Sequence, residues 1–116
     1  MTIQETLGHV HVSPQAVATL ASMAVMSCYG VVGMTNKSLA GDLAEILQKE
    51  SWRRGVEVRI QHGEIVIDLY VILEYGLRLS EVAHNIMSAV KYTVERALGV
   101  PVRAVNVHIQ SVRMSA

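Results

Sequence analysis

The sequence predicts an α+β fold: a two-layer sandwich with a mixed β-sheet and two main helices packed on one face. Three observations lead to it. Val56, Val58 and Ile60 alternate with Glu57, Arg59 and Gln61, and beyond His62-Gly63 the period resumes as Ile65, Ile67, Leu69, Val71 and Leu73, the pattern of a β-hairpin. Two other segments, opened by Ser13-Pro14 and by Ser80, repeat apolar residues at helical spacing. A further alternating stretch from Val102 follows the second of these, so strand, helix and strand make a βαβ crossover, right-handed if its strands are parallel in one sheet. At 116 residues the chain is read as one domain, 1–116.

Taken in order, Met1 to Leu7 shows no period and is expected to be a frayed start, while Gly8 to Val12 alternates as a short strand. Ser13 is a good N-cap, Pro14 suits the first helical position, and Val12 and Val17 occupy the positions of a hydrophobic staple. The first helix then buries Val17, Leu20, Ala21, Ala24, Val25 and Cys28. It turns Gln15, Thr19, Ser22 and Met26 outward, with Met23 at the flank. Two outward methionines suit an adaptable contact surface as well as they suit ordinary surface scatter. Gly30 is expected as a left-handed cap, and Val31 to Met34 as a short strand. Between Thr35 and Gly55 a short helix is expected, with Asp42 and Glu45 as a capping pair and Leu43, Ile46 and Leu47 as its apolar stripe.

In the hairpin, His62-Gly63 suits a two-residue primed turn. Pairing Gln61 with Glu64 then sets Ile60 opposite Ile65, Val58 opposite Ile67 and Val56 opposite Leu69 on one face, a match that a one-residue slip would destroy. Each aliphatic side chain fully buried there contributes about 1.5–3 kcal/mol. The second helix, capped by Ser80 and stopped by Gly99-Val100-Pro101, buries Val82, Ala83, Ile86, Ala89, Val90, Thr93, Val94 and Ala97. The last strand points Val105, Val107 and Ile109 inward, and its pattern slips near Ser111, where a bulge or the strand end is expected. With both helices on one face, the open face carries Glu57, Arg59, Val66, Asp68, Tyr70, Ile72, Asn106, His108 and Gln110. Val66, Tyr70 and Ile72 would be unusually exposed there, as in a sheet that docks a partner.

Composition narrows the function classes. Hydrophobic residues make up 51% of the chain and charged ones 17%, a balance that leaves more apolar surface than a free monomer needs and favours self-association or a protein partner. Ten basic residues balance ten acidic ones, so the electrostatic footprint of a nucleic-acid or polybasic membrane binder is missing. The lone Cys28 excludes an intramolecular disulfide and fits a reducing compartment. No signal-peptide pattern or bilayer-length apolar run is present, so a cytoplasmic protein without direct membrane insertion is expected.

Candidate chemistry is sparse. His9 and His11 share a face of an extended segment, but no third or fourth ligand completes a metal site, and no metal or other cofactor is expected. Asp68 and His108 fall on the open face, where a His beside a carboxylate can act as a general base; no nucleophile stands beside them, and a hydrogen bond between neighbouring strands accounts for the pair. Arg59, diagonal to Asp68, relieves the unfavourable pairing of Glu57 with Asp68. Gly30 and Gly33 spell GxxG, as in KH-type RNA-binding loops, yet a turn followed by a strand explains both. Trp52 with Arg53 and Arg54 reads as a half-buried anchor with a solvated rim. No catalytic residue is assigned.

Several segments together resemble the alkaline shock protein 23 family, the Gls-type general stress or envelope stress response proteins. They are Gly8-His9-Val10-His11-Val12-Ser13, Gly30-Val31-Val32-Gly33-Met34, Val66-Ile67-Asp68-Leu69-Tyr70-Val71, Glu74-Tyr75-Gly76 leading into Ser80-Glu81-Val82-Ala83, and Gly99 followed by Val105-Asn106-Val107-His108-Ile109. The chain looks like the family's short form, without polar or charged terminal extensions. The resemblance implies a similar α+β sandwich with no established catalytic residues and a role in cell-envelope homeostasis. It also implies self-assembly, a membrane-anchored partner protein, or both. The expectation is therefore a non-enzymatic interaction or scaffold protein whose contact surface draws on Met23, Met26, Val66, Tyr70 and Ile72. The alternative is a small ligand- or RNA-binding module using the open sheet face.

Overall fold

The computed structural model describes residues 1–35 and 55–114. The expected helix around Leu43, Ile46 and Leu47, its capping pair Asp42 and Glu45, and the Trp52-Arg53-Arg54 anchor lie outside the described residues. The elements run β1 (Thr2–Glu5), β2 (Gly8–His11), α1 (Pro14–Met26), β3 (Val31–Met34), β4 (Val56–Gln61), β5 (Glu64–Glu74), then α2 (Leu79–Leu98) and β6 (Val102–Arg113).

Strand β5 is the spine of the main sheet. On one side it pairs parallel with β6 along its whole length, as the crossover through α2 requires. On the other side it pairs antiparallel with β4 over Glu64 to Leu69 and with β3 over Val71 to Leu73, so these two short strands share one edge end to end. Tyr70 sits at their junction: its carbonyl accepts from Thr35 N at 3.0 Å and its N–H donates to the Gly55 carbonyl at 2.8 Å. The β4–β5 register is the expected one, Gln61 with Glu64 through Val56 with Leu69. The turn explains it. His62 and Gly63 have φ of 53° and 78°, the left-handed pair of a primed hairpin turn.

One sheet face and both helices enclose the core. Ile65, Ile67, Leu69, Val71 and Leu73 of β5 meet Val17, Ala21 and Val25 of α1 and Val82, Ile86, Val90 and Val94 of α2, with Val102 and Val105 completing the cluster. Ser13 caps α1 by accepting from Ala16 N at 3.2 Å, behind Pro14 at the first position. Gly99 ends α2 in the left-handed conformation, its N–H donating to the Glu95 carbonyl.

Several expectations are corrected. The start is not frayed: Thr2–Glu5 pairs with β2 as a separate two-stranded sheet, closed by Met1 N donating to the Val12 carbonyl at 2.8 Å. Only Ile3 in that segment carries an apolar signal, so the strand is defined by its partner and not by its own pattern. Ser80 is not a cap; α2 begins at Leu79 with Arg78 at the N-cap and no side-chain bond. Helix α1 stops at Met26 with Ser27 as its cap, so Gly30, at φ 90°, belongs to the turn into β3. Ser22 is buried beside Ala18, a second stripe of small residues that hydrophobicity does not mark. Ala97 is exposed near the end of α2, and Ile109 is exposed on β6, which among the described residues pairs with β5 alone. Near Ser111 the register does shift: Val71 faces Ile109 but Ile72 faces Ser111, and the strand continues to Arg113.

Val66, Tyr70 and Ile72 are the largest departure. They do lie on the face away from the helices, but they are buried at 6, 7 and 8% exposure. Each belongs to the central strand with neighbours across both edges: Arg59 and Ala104 flank Val66, His108 registers with Tyr70, and Gly33 and Ser111 flank Ile72. Central strands of this kind read as nearly continuous apolar runs.

Candidate functional site

Two features stand out among the described residues, a polar cluster on the sheet face and an apolar surface at the end of α1. The cluster centres on Asp68, which β5 places between β4 and β6. Its Oδ2 accepts from Arg59 Nη2 at 2.8 Å and Nε at 3.2 Å; its Oδ1 accepts from Asn106 Nδ2 at 3.1 Å and lies 3.1 Å from His108 Nε2. An ionised carboxylate has no proton to give, so Nε2 is the donor and the Nδ1 nitrogen of a neutral His108 keeps its lone pair. The imidazole is also stacked on Tyr70, ring centroids 4.6 Å apart at an 11° interplanar angle.

The electrostatics follow from these contacts. Burial raises the Asp68 pKa, but hydrogen bonds from His108, Arg59 and Asn106 and the Arg59 charge together outweigh it and hold the carboxyl below its ordinary value. Burial, with the Glu57 and Asp68 charges, pushes the Tyr70 phenol up against the opposing pull of Arg59, keeping it neutral. Three strands are thus fastened through one carboxylate, and the ion pair within the cluster is the one the sequence placed: Arg59 reaches Asp68 diagonally, with Glu57 directly opposite Asp68. Asn106 is the member that sequence reasoning placed on the face without giving it a partner. Among the described residues no Ser, Thr or Cys side chain is a partner of His108 or Asp68, and the arrangement holds the histidine in one orientation.

The second feature is apolar. Met23 and Met26 are exposed at 65 and 53%, as expected for one face of α1, and Tyr29 just beyond the helix is exposed at 78%. Tyr29 then lines a groove of about 640 Å³ with Gly30, Val31, Val32, Glu74, Arg113 and Met114. Val32, Tyr75, Val112 and Met114 are exposed around this end of the sheet. Of the five surface residues expected from sequence, the structure leaves Met23 and Met26 accessible and encloses Val66, Tyr70 and Ile72. Tyr29, Val32 and Met114 were missed because their exposure depends on where three strand ends meet. A tyrosine just past a helix end was the available signal.

Other sequence features resolve simply. Gly33 lies within β3 opposite Ile72, so the GxxG is a turn and a strand. His9 and His11 are exposed on β2, and His11 Nδ1 lies 3.4 Å from Thr2 Oγ1. Among the described residues no group of three or more His, Cys, Asp and Glu is placed to hold a metal ion, and no helix is long and apolar enough to cross a membrane. Cys28 is half-buried, donates to the Ala24 carbonyl at 3.3 Å, and has its thiol pKa raised by burial, the state of an unreactive cysteine.

Comparison with known proteins gives the chain a family and its fold a likeness. The profile of the alkaline shock protein 23 family, described as having a cell-envelope-related function, matches residues 2–114. The chain is 45% identical to YloU of Bacillus subtilis (strain 168) over 109 residues, 93% of this chain and 91% of that protein. It is 34% identical to Spy1614 of Streptococcus pyogenes serotype M6 over 108 residues, 92% and 89% of the two chains. A stress response regulator gls24 homolog of Streptococcus pyogenes serotype M3 is 23% identical over 106 residues, 91% of this chain and 59% of the relative. Among solved structures, the MamM CTD superposes with a TM-score of 0.51 at 16% identity, covering 85% of this chain and 99% of that one, a likeness of fold alone.

Proposed function

Since this chain belongs to the alkaline shock protein 23 family, whose function is related to the cell envelope and whose relatives include stress response regulator homologues, we infer that it acts as a non-enzymatic interaction protein supporting the envelope through protein contacts. The observation that carries this reading is the accessible apolar surface of Met23 and Met26 on α1, together with Tyr29 just beyond the helix, which lines the groove with Val32 and Met114. Methionine side chains adapt to different partners, and a tyrosine adds apolar area with a polar tip. The partner is a membrane-anchored protein or another copy of the chain, reached without insertion into the bilayer. The Asp68 cluster serves as a brace: its carboxylate already accepts from Arg59, Asn106 and His108.

The alternative, a ligand- or RNA-binding sheet face, finds less support. Single-stranded nucleic acid needs accessible aromatic rings to stack on, whereas Tyr70 is buried and already stacked on His108. The test is capture from detergent-solubilised membranes by the full chain and by Met26→Asp, alongside filter binding to mixed RNA at low and moderate salt. Specific membrane proteins retained by the parent and lost by Met26→Asp are the expected result. Equal capture by both would sink the surface assignment, and salt-sensitive RNA binding would favour the alternative.

A further inference from the structure

We propose that the outer edge of β6 is where a second copy of this chain binds, antiparallel edge to edge, so that two sheets join into one with all helices on the same side. This rests on reading the chain as an interaction protein and leaves the Met23–Met26 surface open for a different partner. The two edges of the main sheet differ. One is divided between β3 and β4 and interrupted at Tyr70; the other is β6, the longest strand at 12 residues, with no further strand paired to it among the described residues. Soluble proteins blunt such an edge with lysine, proline, inward charge, bulges or shortness, and β6 confines its two register shifts to the ends of the strand. Between the register shifts near Arg103 and Gln110, β6 offers Ala104 to Ile109 as a regular run with no charged residue and no proline. Asn106 and His108 lean toward Asp68 on β5, away from the outer edge.

The sequence of this run selects a copy of itself. A two-fold axis relating antiparallel edge strands stands perpendicular to the sheet, so residues facing each other share a face, and only registers of even sum are allowed. Centred on Val107, the register sets Val107 against Val107, Val105 against Ile109 and Asn106 against His108 of the other copy. Apolar then meets apolar on the helix side and polar meets polar on the open side. Arg103 falls opposite Ser111, and no like charges oppose each other. Moving the centre to His108 would set Arg103 against Arg113, and moving it to Asn106 would set Arg103 against Ile109. The exposed Ile109 gains cover in the favoured register, and a chain with ten charges of each sign carries no net repulsion against itself.

The experiment combines light scattering of the full chain over a concentration series with hydrogen exchange at the same concentrations. The expected result is a mass rising to twice that of the chain, with exchange slowing for amides within Ala104 to Ile109 as it does. Val107→Lys and Val107→Glu each place like charges on the axis and should be monomeric, while their equimolar mixture should dimerise again. A dimer whose β6 amides exchange unchanged, or a dimer retained by Val107→Lys, overturns the proposal, as does a monomer throughout. If Val107→Lys fails to fold, the exchange of the parent protein decides alone. A monomer that still captures a membrane protein, or a dimer lost only in Met26→Asp, removes the β6 interface and keeps the functional reading; a monomer that captures nothing removes both.

Discussion

At Asp68 a single carboxylate joins three strands, and its replacement tests that brace. Asp68→Asn would turn an amide N–H₂ toward the donors of Arg59 or His108, leaving a mostly buried polar group mismatched. The expected loss is about 1–3 kcal/mol, toward the lower end because Arg59 is partly solvated, read as a lower denaturation midpoint at neutral pH. The acid dependence has a definite sign. The folded pKa of Asp68 lies below its unfolded value, so its contribution is present above the ordinary aspartate range and is lost as pH falls through the depressed folded value. Denaturation midpoints followed into acid should therefore fall more steeply for the parent than for Asp68→Asn. Gly30 makes a different demand: at φ 90° an added Cβ would lie 2.8 Å from Leu77 Cδ1 and 3.2 Å from Val82 Cγ1. Gly30→Ala should cost more than about 1 kcal/mol by thermal denaturation.

Among the elements, the two helix starts make a matched pair of predictions. Ser13→Ala removes the bond to Ala16 N and should destabilise by about 0.5–2 kcal/mol, whereas Ser80→Ala should be neutral or slightly stabilising, because Ser80 lies inside α2. Urea midpoints of the two variants decide it. The contrast shows where the sequence was legible. Ser13 stood before a proline and a clear stripe, but Ser80 competed with Leu79, whose apolar character already suited the first turn. The β4–β5 register was readable because alternation and the His62-Gly63 turn demanded the same pairing. The burial of Val66, Tyr70 and Ile72 was not read from the sequence, although residues 65–73 are apolar at every position but Asp68, the mark of a strand buried on both faces. The Asp68 cluster was half legible: strand parity put its members on one face, while the fit of Asn106 and the Tyr70–His108 stack depended on the twist and spacing of three strands.

Across the whole molecule, the described residues spread over 52 × 33 × 22 Å with a radius of gyration of 15.0 Å, above the roughly 13 Å that chain length alone implies. The β1–β2 hairpin accounts for part of this, forming its own sheet, with Leu7 fully exposed at the tip. Two strands alone are marginal in water. Amides of β1 and β2 should therefore exchange by local opening well before those of β5, which native-state hydrogen exchange will reveal. The junction at Tyr70 has another kind of consequence. Thr35 and Gly55 bond to the same residue, and a Cβ on Gly55 would lie within 3.0 Å of the Thr35 carbonyl oxygen, so the chain departs from the sheet and rejoins it at nearly one point. Such a seam uncouples chain length from architecture: residues can be gained or lost there over evolutionary time while every strand keeps its partner. Differences in length among relatives should accordingly collect between positions 35 and 55, which an alignment of their sequences will test.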